Sequence, residues 1–174
     1  MPLCRVLDEK HRIYVDHNFP KHSRKEEGYR YRVILGVGGN IGDTRRRMNH
    51  LWHYLGRLPQ ISRIRSGVIL RNPPFGYLEQ NDFDNTVVEI ATSLQPRAFL
   101  RLLWRIEKRF GRCRSFANAP RTLDLDILFF ENRSIRTEEL SIPHPHWNER
   151  VGVMIPLGSL ARKSVRRHYE NLDI

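Results

Sequence analysis

Asp124-Leu125-Asp126 puts two acids two residues apart near the start of an apolar run that ends at Phe130, with Arg121 three residues ahead of the first acid. In a strand, alternate side chains share a face, so Asp124 and Asp126 point the same way, about 7 Å apart. Leu123, Leu125, Ile127 and Phe129 then point the other way, into a core. Two carboxylates on one face are costly unless something positive lies between them. Hard oxygen ligands suit Mg²⁺, and a magnesium pair with its ions about 3.5–4 Å apart can be served by two such acids. A lone Asp-x-Asp is more simply a solvated pair at a sheet edge. Pro120-Arg121 in front and the apolar run behind shift the balance toward a metal site.

Three further segments carry donors. Gly38-Gly39-Asn40-Ile41-Gly42-Asp43 follows one apolar run and precedes another, and its glycines let backbone come close to a ligand. It lacks the Gly-Lys-Ser/Thr ending of a P-loop. Glu107, then Gly111-Arg112-x-Arg114, sends guanidiniums toward the acids. Pro143-His144-Pro145-His146 and Arg150 come after them. Taken singly, these are a turn, a charged helix end and a Pro-His-Pro turn.

The elements that must position these groups are legible in outline. Tyr31 to Val37 reads as a strand, and Asp43 caps a helix from Thr44 to Leu58 with Met48, Leu51, Leu55 and Leu58 on its apolar face. Ile61 to Leu70 is a second strand, broken by Asn72-Pro73-Pro74-Phe75-Gly76. Phe83 to Ser93 is a third strand. A helix opens at Pro96, buries Phe99, Leu102, Leu103, Ile106 and Phe110, and closes at Gly111. Leu123 to Phe130 is the fourth strand. The order βαββαβ is the α+β, ferredoxin-like plan: an antiparallel sheet with two main helices on one face and the other face free for a site. Residues 1–30 read as a basic N-terminal extension, flexible apart from a short strand at Ile13-Tyr14-Val15, with scattered His11, His17 and His22 and a linker from Lys21 to Gly28. Residues 31–174 form the domain, with a short C-terminal tail.

The chain has 174 residues and a formal charge of +11, and its cations are 25 Arg against 5 Lys. Arginine is the better planar, bidentate binder of phosphate and carboxylate. Cys4 and Cys113 are too few for a disulfide framework. No apolar run approaches a membrane span, and the start lacks a signal core, so a cytoplasmic protein is expected. A basic ferredoxin-like RNA-binding domain is the alternative, but Asn85-Thr86-Val87-Val88-Glu89 lacks the aromatic set on which such sheets stack bases. A nucleotidyltransferase is disfavoured because more than 80 residues separate Gly39 from Asp124.

Together, Gly38-Gly39-Asn40, Pro73-Pro74, Phe83-x-Asn85, Glu107, Gly111-Arg112-x-Arg114, Pro120-Arg121-Thr122-Leu123-Asp124-Leu125-Asp126, Pro143-His144, Arg150 and Pro156-Leu157 resemble the 6-hydroxymethyl-7,8-dihydropterin pyrophosphokinase family. The resemblance implies transfer of the β,γ-pyrophosphoryl group of ATP to the pterin hydroxymethyl oxygen in folate biosynthesis, with release of AMP. It implies Asp124 and Asp126 as ligands of two Mg²⁺ ions, and Arg112 and Arg121 as catalytic grips on the triphosphate. Glu107, Arg114, His144 and Arg150 join the nucleotide site. Gly39, Asn40, Asn72, Pro73, Phe75, Phe83 and Asn85 form the pterin site. ATP and the pterin are the expected partners of a monomer, without nucleic acid or membrane. Two departures from the pattern stand out. Asn118 replaces a frequent Trp, and Gly152 stands where an aromatic sandwiches the pterin, so Phe116 is the candidate to restore a ring.

Overall fold

The computed structural model describes residues 3–24, 27–113 and 115–160. In chain order the elements are β1 (Leu3–Val6), β2 (Arg12–Val15), β3 (Lys21–His22), β4 (Tyr31–Gly39), α1 (Thr44–Leu55), β5 (Ile61–Ser66), β6 (Ile69–Asn72), β7 (Phe83–Thr92), α2 (Pro96–Arg109), β8 (Asp124–Phe130), β9 (Ile135–Arg136), β10 (Ser141–Ile142) and α3 (Val151–Leu160). The central strands are antiparallel in the order β8, β4, β7, with β5 and β6 both pairing β7. With α1 and α2, that is the βαββαβ plan.

Alternation builds the core. Val33, Leu35 and Val37 of β4, Val88 and Ile90 of β7, and Leu125 and Ile127 of β8 belong to one buried cluster with Met48, Leu51, Trp52 and Leu55 of α1 and Phe99, Leu103 and Ile106 of α2. Each such side chain contributes roughly 1.5–3 kcal/mol when fully buried. The Asp43 side chain caps α1 by accepting from the Arg46 N–H at 3.0 Å. The helix ends at Leu55, three residues short of the expected Leu58, because Gly56 takes the C-cap.

Several expectations change. First, Phe129 does not face the core. The β4–β8 ladder slips between Ile34 and Leu35, which pair Phe129 and Ile127, so Leu128 is an extra residue. Phe130 is therefore the buried one, while Phe129 packs on Trp147 at 5.0 Å among ring centroids in the opposite cluster. Second, the strand expected over Ile61 to Leu70 splits at Gly67. The Gly67 N–H still reaches the Val87 carbonyl at 2.8 Å, but a Cβ there would lie 2.6 Å from the Pro156 oxygen of α3.

Third, the second sheet face is not free. α3 packs over β6 and β7, with Leu160, Val153 and Leu157 clustered on Val87 and Leu128. Ser159 Oγ accepts from the Val68 N–H at 3.0 Å, and Arg65 Nη1 donates to the Leu160 carbonyl at 2.6 Å. Only the part of that face left open by α3 remains for a ligand.

The N-terminal residues, expected to be flexible outside one short strand, add three strands to the sheet. β1 pairs β2, β2 pairs β6, and β3 pairs β5. Tyr14 lies under the guanidiniums of Arg45 and Arg71, at 4.3 and 5.3 Å from its centroid. Phe19 is 1 % exposed and meets Trp52 edge-on at 6.1 Å.

Candidate active site

Register, rather than sequence proximity, assembles the site. Asp124 of β8 stands opposite Gly38 of β4, and Gly38 stands opposite Asn85 of β7. Opposed residues share a face, so the acid, the glycine and the amide form one row. Two inter-strand steps separate the acid backbone from the amide backbone by about 9–10 Å. Gly38 leaves the floor between them bare: a Cβ there would lie 2.5 Å from Asn85 Oδ1. Gly36 sits opposite Asp126 and Val87 in the next row on this face. Above this floor lies a cavity of about 310 Å³.

At the acid end, Arg112 Nη1 contacts Asp124 Oδ1 at 2.5 Å and also bonds Glu107 Oε1. Burial works against the Arg112 charge, yet Asp124 and Glu107 outweigh it and raise its pKa. The same Glu107 oxygen accepts the Leu125 N–H at 2.8 Å, which fixes the start of β8 to the end of α2. Arg121 Nε lies 3.2 Å from Asp124 Oδ2, and its guanidinium stacks over Phe83 at 5.1 Å. The Arg121 backbone is clamped: its N–H donates to Asn40 Oδ1 at 2.9 Å and its carbonyl accepts the Asn40 N–H at 3.0 Å.

Asp126 is treated differently. It lines the cavity, and no hydrogen bond or ion pair holds it among the described residues. Burial, then the neighbouring Asp124 charge, pushes its pKa up to about 7, against the pull of Arg150 and Arg112. A carboxylate without a partner, beside a second one, is the donor set that a divalent cation satisfies. The residues present therefore fit Mg²⁺. His144 also lines the cavity, where burial first, then Arg150 and His146, lowers its pKa and favours the neutral imidazole.

At the other end, Asn85 Nδ2 donates to Asn72 Oδ1 at 2.8 Å. The residues preceding these amides form a half-buried ion pair: Arg71 holds Asp84 through two bonds of 2.8 and 2.9 Å, and Asp84 also accepts from Thr44 Oγ1. Gly152 at the start of α3 closes on these amides, where a Cβ would lie 2.8 Å from Asn85 Nδ2 and 3.0 Å from Asn72 Oδ1.

Of the residues singled out in the sequence, Asn72, Pro73, Phe75, Phe83, Asn85, Arg121, Asp124, Asp126, His144 and Arg150 line the cavity. Gly39 and Asn40 do not. Gly39 abuts the Thr122 carbonyl, 2.6 Å from where its Cβ would be, and Asn40 is a buried tie between the Arg121 backbone and the Gln80–Asn81 loop. Glu107 and Arg112 stand behind Asp124, outside the lining. Arg114 lies outside the described residues. Phe116 does not replace a ring in the cavity. It is 57 % exposed and packs edge-on against Tyr77 at 5.4 Å, so it joins two loops instead. Asn118 does line the cavity and has a positive φ of 59°. His11, from the N-terminal segment, lines it as well. Its sequence signal was one His among three scattered ones, and only the β2–β6 register distinguishes it.

Residues 34–162 match the family described as 7,8-dihydro-6-hydroxymethylpterin-pyrophosphokinase. The chain is similar to the 2-amino-4-hydroxy-6-hydroxymethyldihydropteridine pyrophosphokinase of Helicobacter pylori, at 40% identity over 141 residues, covering 80% of this chain and 86% of that protein. It is similar to the protein of that name from Campylobacter jejuni, at 37% over 142 residues, covering 82% and 90% of the two chains. The Bacillus subtilis protein of that name is 37% identical over 131 residues, covering 75% and 78%.

Proposed function

The chain belongs to the 7,8-dihydro-6-hydroxymethylpterin-pyrophosphokinase family and is an ATP-dependent pyrophosphokinase of folate biosynthesis, and we propose how its cavity divides that reaction between two ends. The acid end takes the ATP phosphates and the amide end takes the pterin. The observation that carries this is the row Asp124–Gly38–Asn85, which sets charge-binding and amide-binding groups about 9–10 Å apart across a floor without side chains.

Asp124 and Asp126 would hold magnesium, two ions in this reading, which would supply positive charge against the triphosphate oxygens of in-line transfer. Arg121 and Arg112 stabilise the charge that builds on the transferring group, since guanidinium–phosphate bonds are charge-assisted and planar. Glu107 fixes Arg112 by bonding the same nitrogen that touches Asp124. His144, whose pKa is lowered by burial and by Arg150, reaches the nucleotide as a hydrogen-bonding group. Arg114 is assigned to the nucleotide from the sequence pattern.

Asn85 and Asn72 present amide donors and acceptors to the edge of a flat heterocycle, and Phe83, with Arg121 stacked on it, supplies the ring wall. Pro73 and Phe75 close the rim, while Asn40 acts through the Arg121 backbone it holds and Gly39 through its close approach to the Thr122 carbonyl. The hydroxymethyl oxygen attacks the β-phosphorus, the bond from that phosphorus to the oxygen of the α-phosphate breaks, and AMP leaves. We place the enzyme in the cytoplasm as a monomer. Among the described residues no helix is long and apolar enough to cross a membrane. The RNA-binding alternative gains no support, because the matched relatives are named pyrophosphokinases.

Product analysis tests the reaction. ATP, Mg²⁺ and 6-hydroxymethyl-7,8-dihydropterin should yield AMP and the pterin diphosphate. Release of free pyrophosphate with a nucleotidylated pterin would refute the assignment.

A further inference from the structure

His11 lies outside the family-matching span, yet it lines the cavity beside the amide pair. Its position follows from pairing. β2 runs antiparallel to β6 and their ladder ends at Arg12 opposite Arg71, which leaves His11, the residue before Arg12, beside Asn72, the residue after Arg71. Asn72 in turn stands opposite Phe83. His11, Asn72 and Phe83 all line the cavity, so the three stand together at this edge of the floor.

The imidazole is oriented before any ligand arrives. Asp8 bonds the His11 ring nitrogen Nδ1 through both carboxylate oxygens at 2.9 Å. Asp8 also accepts the backbone N–H groups of Lys10 and His11 at 2.8 and 2.9 Å, so the turn fixes the carboxylate that fixes the ring. With Nδ1 turned to Asp8, Nε2 is the ring nitrogen left to meet a ligand, and in the neutral tautomer that donates from Nδ1 it accepts. Nε2 has no partner among the described residues. A ring aromatic on its faces and accepting at its tip is suited to an N–H edge of a flat heterocycle.

We infer that His11, held by Asp8, is an acceptor-binding residue that the N-terminal hairpin adds to the pterin site. The inference rests on the assignment of the amide end to the pterin. It also gives β1 and β2 a role: they extend the sheet by the strand needed to bring this imidazole over the cavity rim. Gly152, which leaves no room for a side chain between α3 and the amides, keeps the opposite wall flat.

The test compares His11→Ala, His11→Phe and His11→Gln in the full chain. The readouts are steady-state AMP release and fluorescence titration of 6-hydroxymethylpterin in the presence of Mg²⁺ and α,β-methylene-ATP. Loss of one hydrogen bond predicts a five- to tenfold rise in pterin KM and Kd for the Ala and Phe variants. ATP KM and kcat should stay within twofold. His11→Gln, which keeps an acceptor oxygen, should recover most of the affinity, and Lys10→Ala in the same turn should change nothing. Asn85→Ala runs alongside. If it weakens pterin binding while the His11 variants do not, the inference is overturned and the pterin assignment stands. If neither weakens it, the assignment fails and takes the inference with it. Full affinity in His11→Phe alone would overturn the hydrogen-bonding role.

Discussion

Asp126 and Asp124 are chemically identical and differently placed. Asp124 touches Arg112 and leans on Arg121, whereas Asp126 has neither and faces the cavity. Its pKa near 7 in the folded protein lies above the ordinary 3.8, so without metal the native state holds a proton that the unfolded chain has released. Stability from this group is therefore fully present below about pH 4, falls as pH rises, and is lost above about pH 7. The groups facing it are Asp124, Glu107, Arg112 and Arg150. Thermal melts of the metal-free protein should show Asp126→Asn gaining on the wild type between pH 5 and 8, by an amount on the order of a few kcal/mol at the upper end. Mg²⁺ should stabilise the wild type at pH 8 and not the variant. Gly38 makes a second prediction at this scale. Its Cβ would strike Asn85 Oδ1 at 2.5 Å and disturb the bond to Asn72, so Gly38→Ala should raise pterin KM at least tenfold and ATP KM far less, measured by AMP release.

At the scale of elements, the central strands β4, β7 and β8 and the first two helices are legible in outline because their alternation and 3,4 spacing are regular. The acids, Arg121 and Asn85 were legible as a pattern of residue types. What escaped the sequence has physical reasons. The bulge at Leu128 shifts the alternation by one residue, which no count of apolar positions reveals, so Phe129 was misplaced and Phe130 is the core residue. α3 is Val-Gly-Val-Met-Ile-Pro-Leu-Gly-Ser-Leu, apolar on every side, so it shows no helical stripe. The role of Gly67 emerges only once α3 is placed against it, and Gly152 shows the same dependence at the other end of that helix. Gly152→Ala should push on both amides, raising pterin KM severalfold in the AMP-release assay while the melting temperature falls by only a few degrees.

The whole molecule is a ferredoxin-like sandwich whose sheet is extended by its own N-terminal segment. Phe19 is as buried as any side chain of the main core and packs against Trp52 of α1. Phe19→Ala should cost about 3–5 kcal/mol in urea unfolding, the loss expected for a buried aromatic. A change of a few tenths would mean that the segment merely rests on the domain. The charge of +11, carried mainly by arginine, also finds a place: Arg112, Arg121 and Arg150 converge on the acid end, where a triphosphate would bring negative charge. The most direct test of the two-ended cavity is pterin-dependent AMP release by Asp126→Asn and Asn85→Ala, measured side by side with both substrates varied. Asp126→Asn should lose at least a thousandfold in kcat at saturating pterin. Asn85→Ala should keep kcat within tenfold and raise pterin KM more than tenfold. Near-normal kcat in Asp126→Asn, or an Asn85→Ala defect confined to ATP, would contradict it.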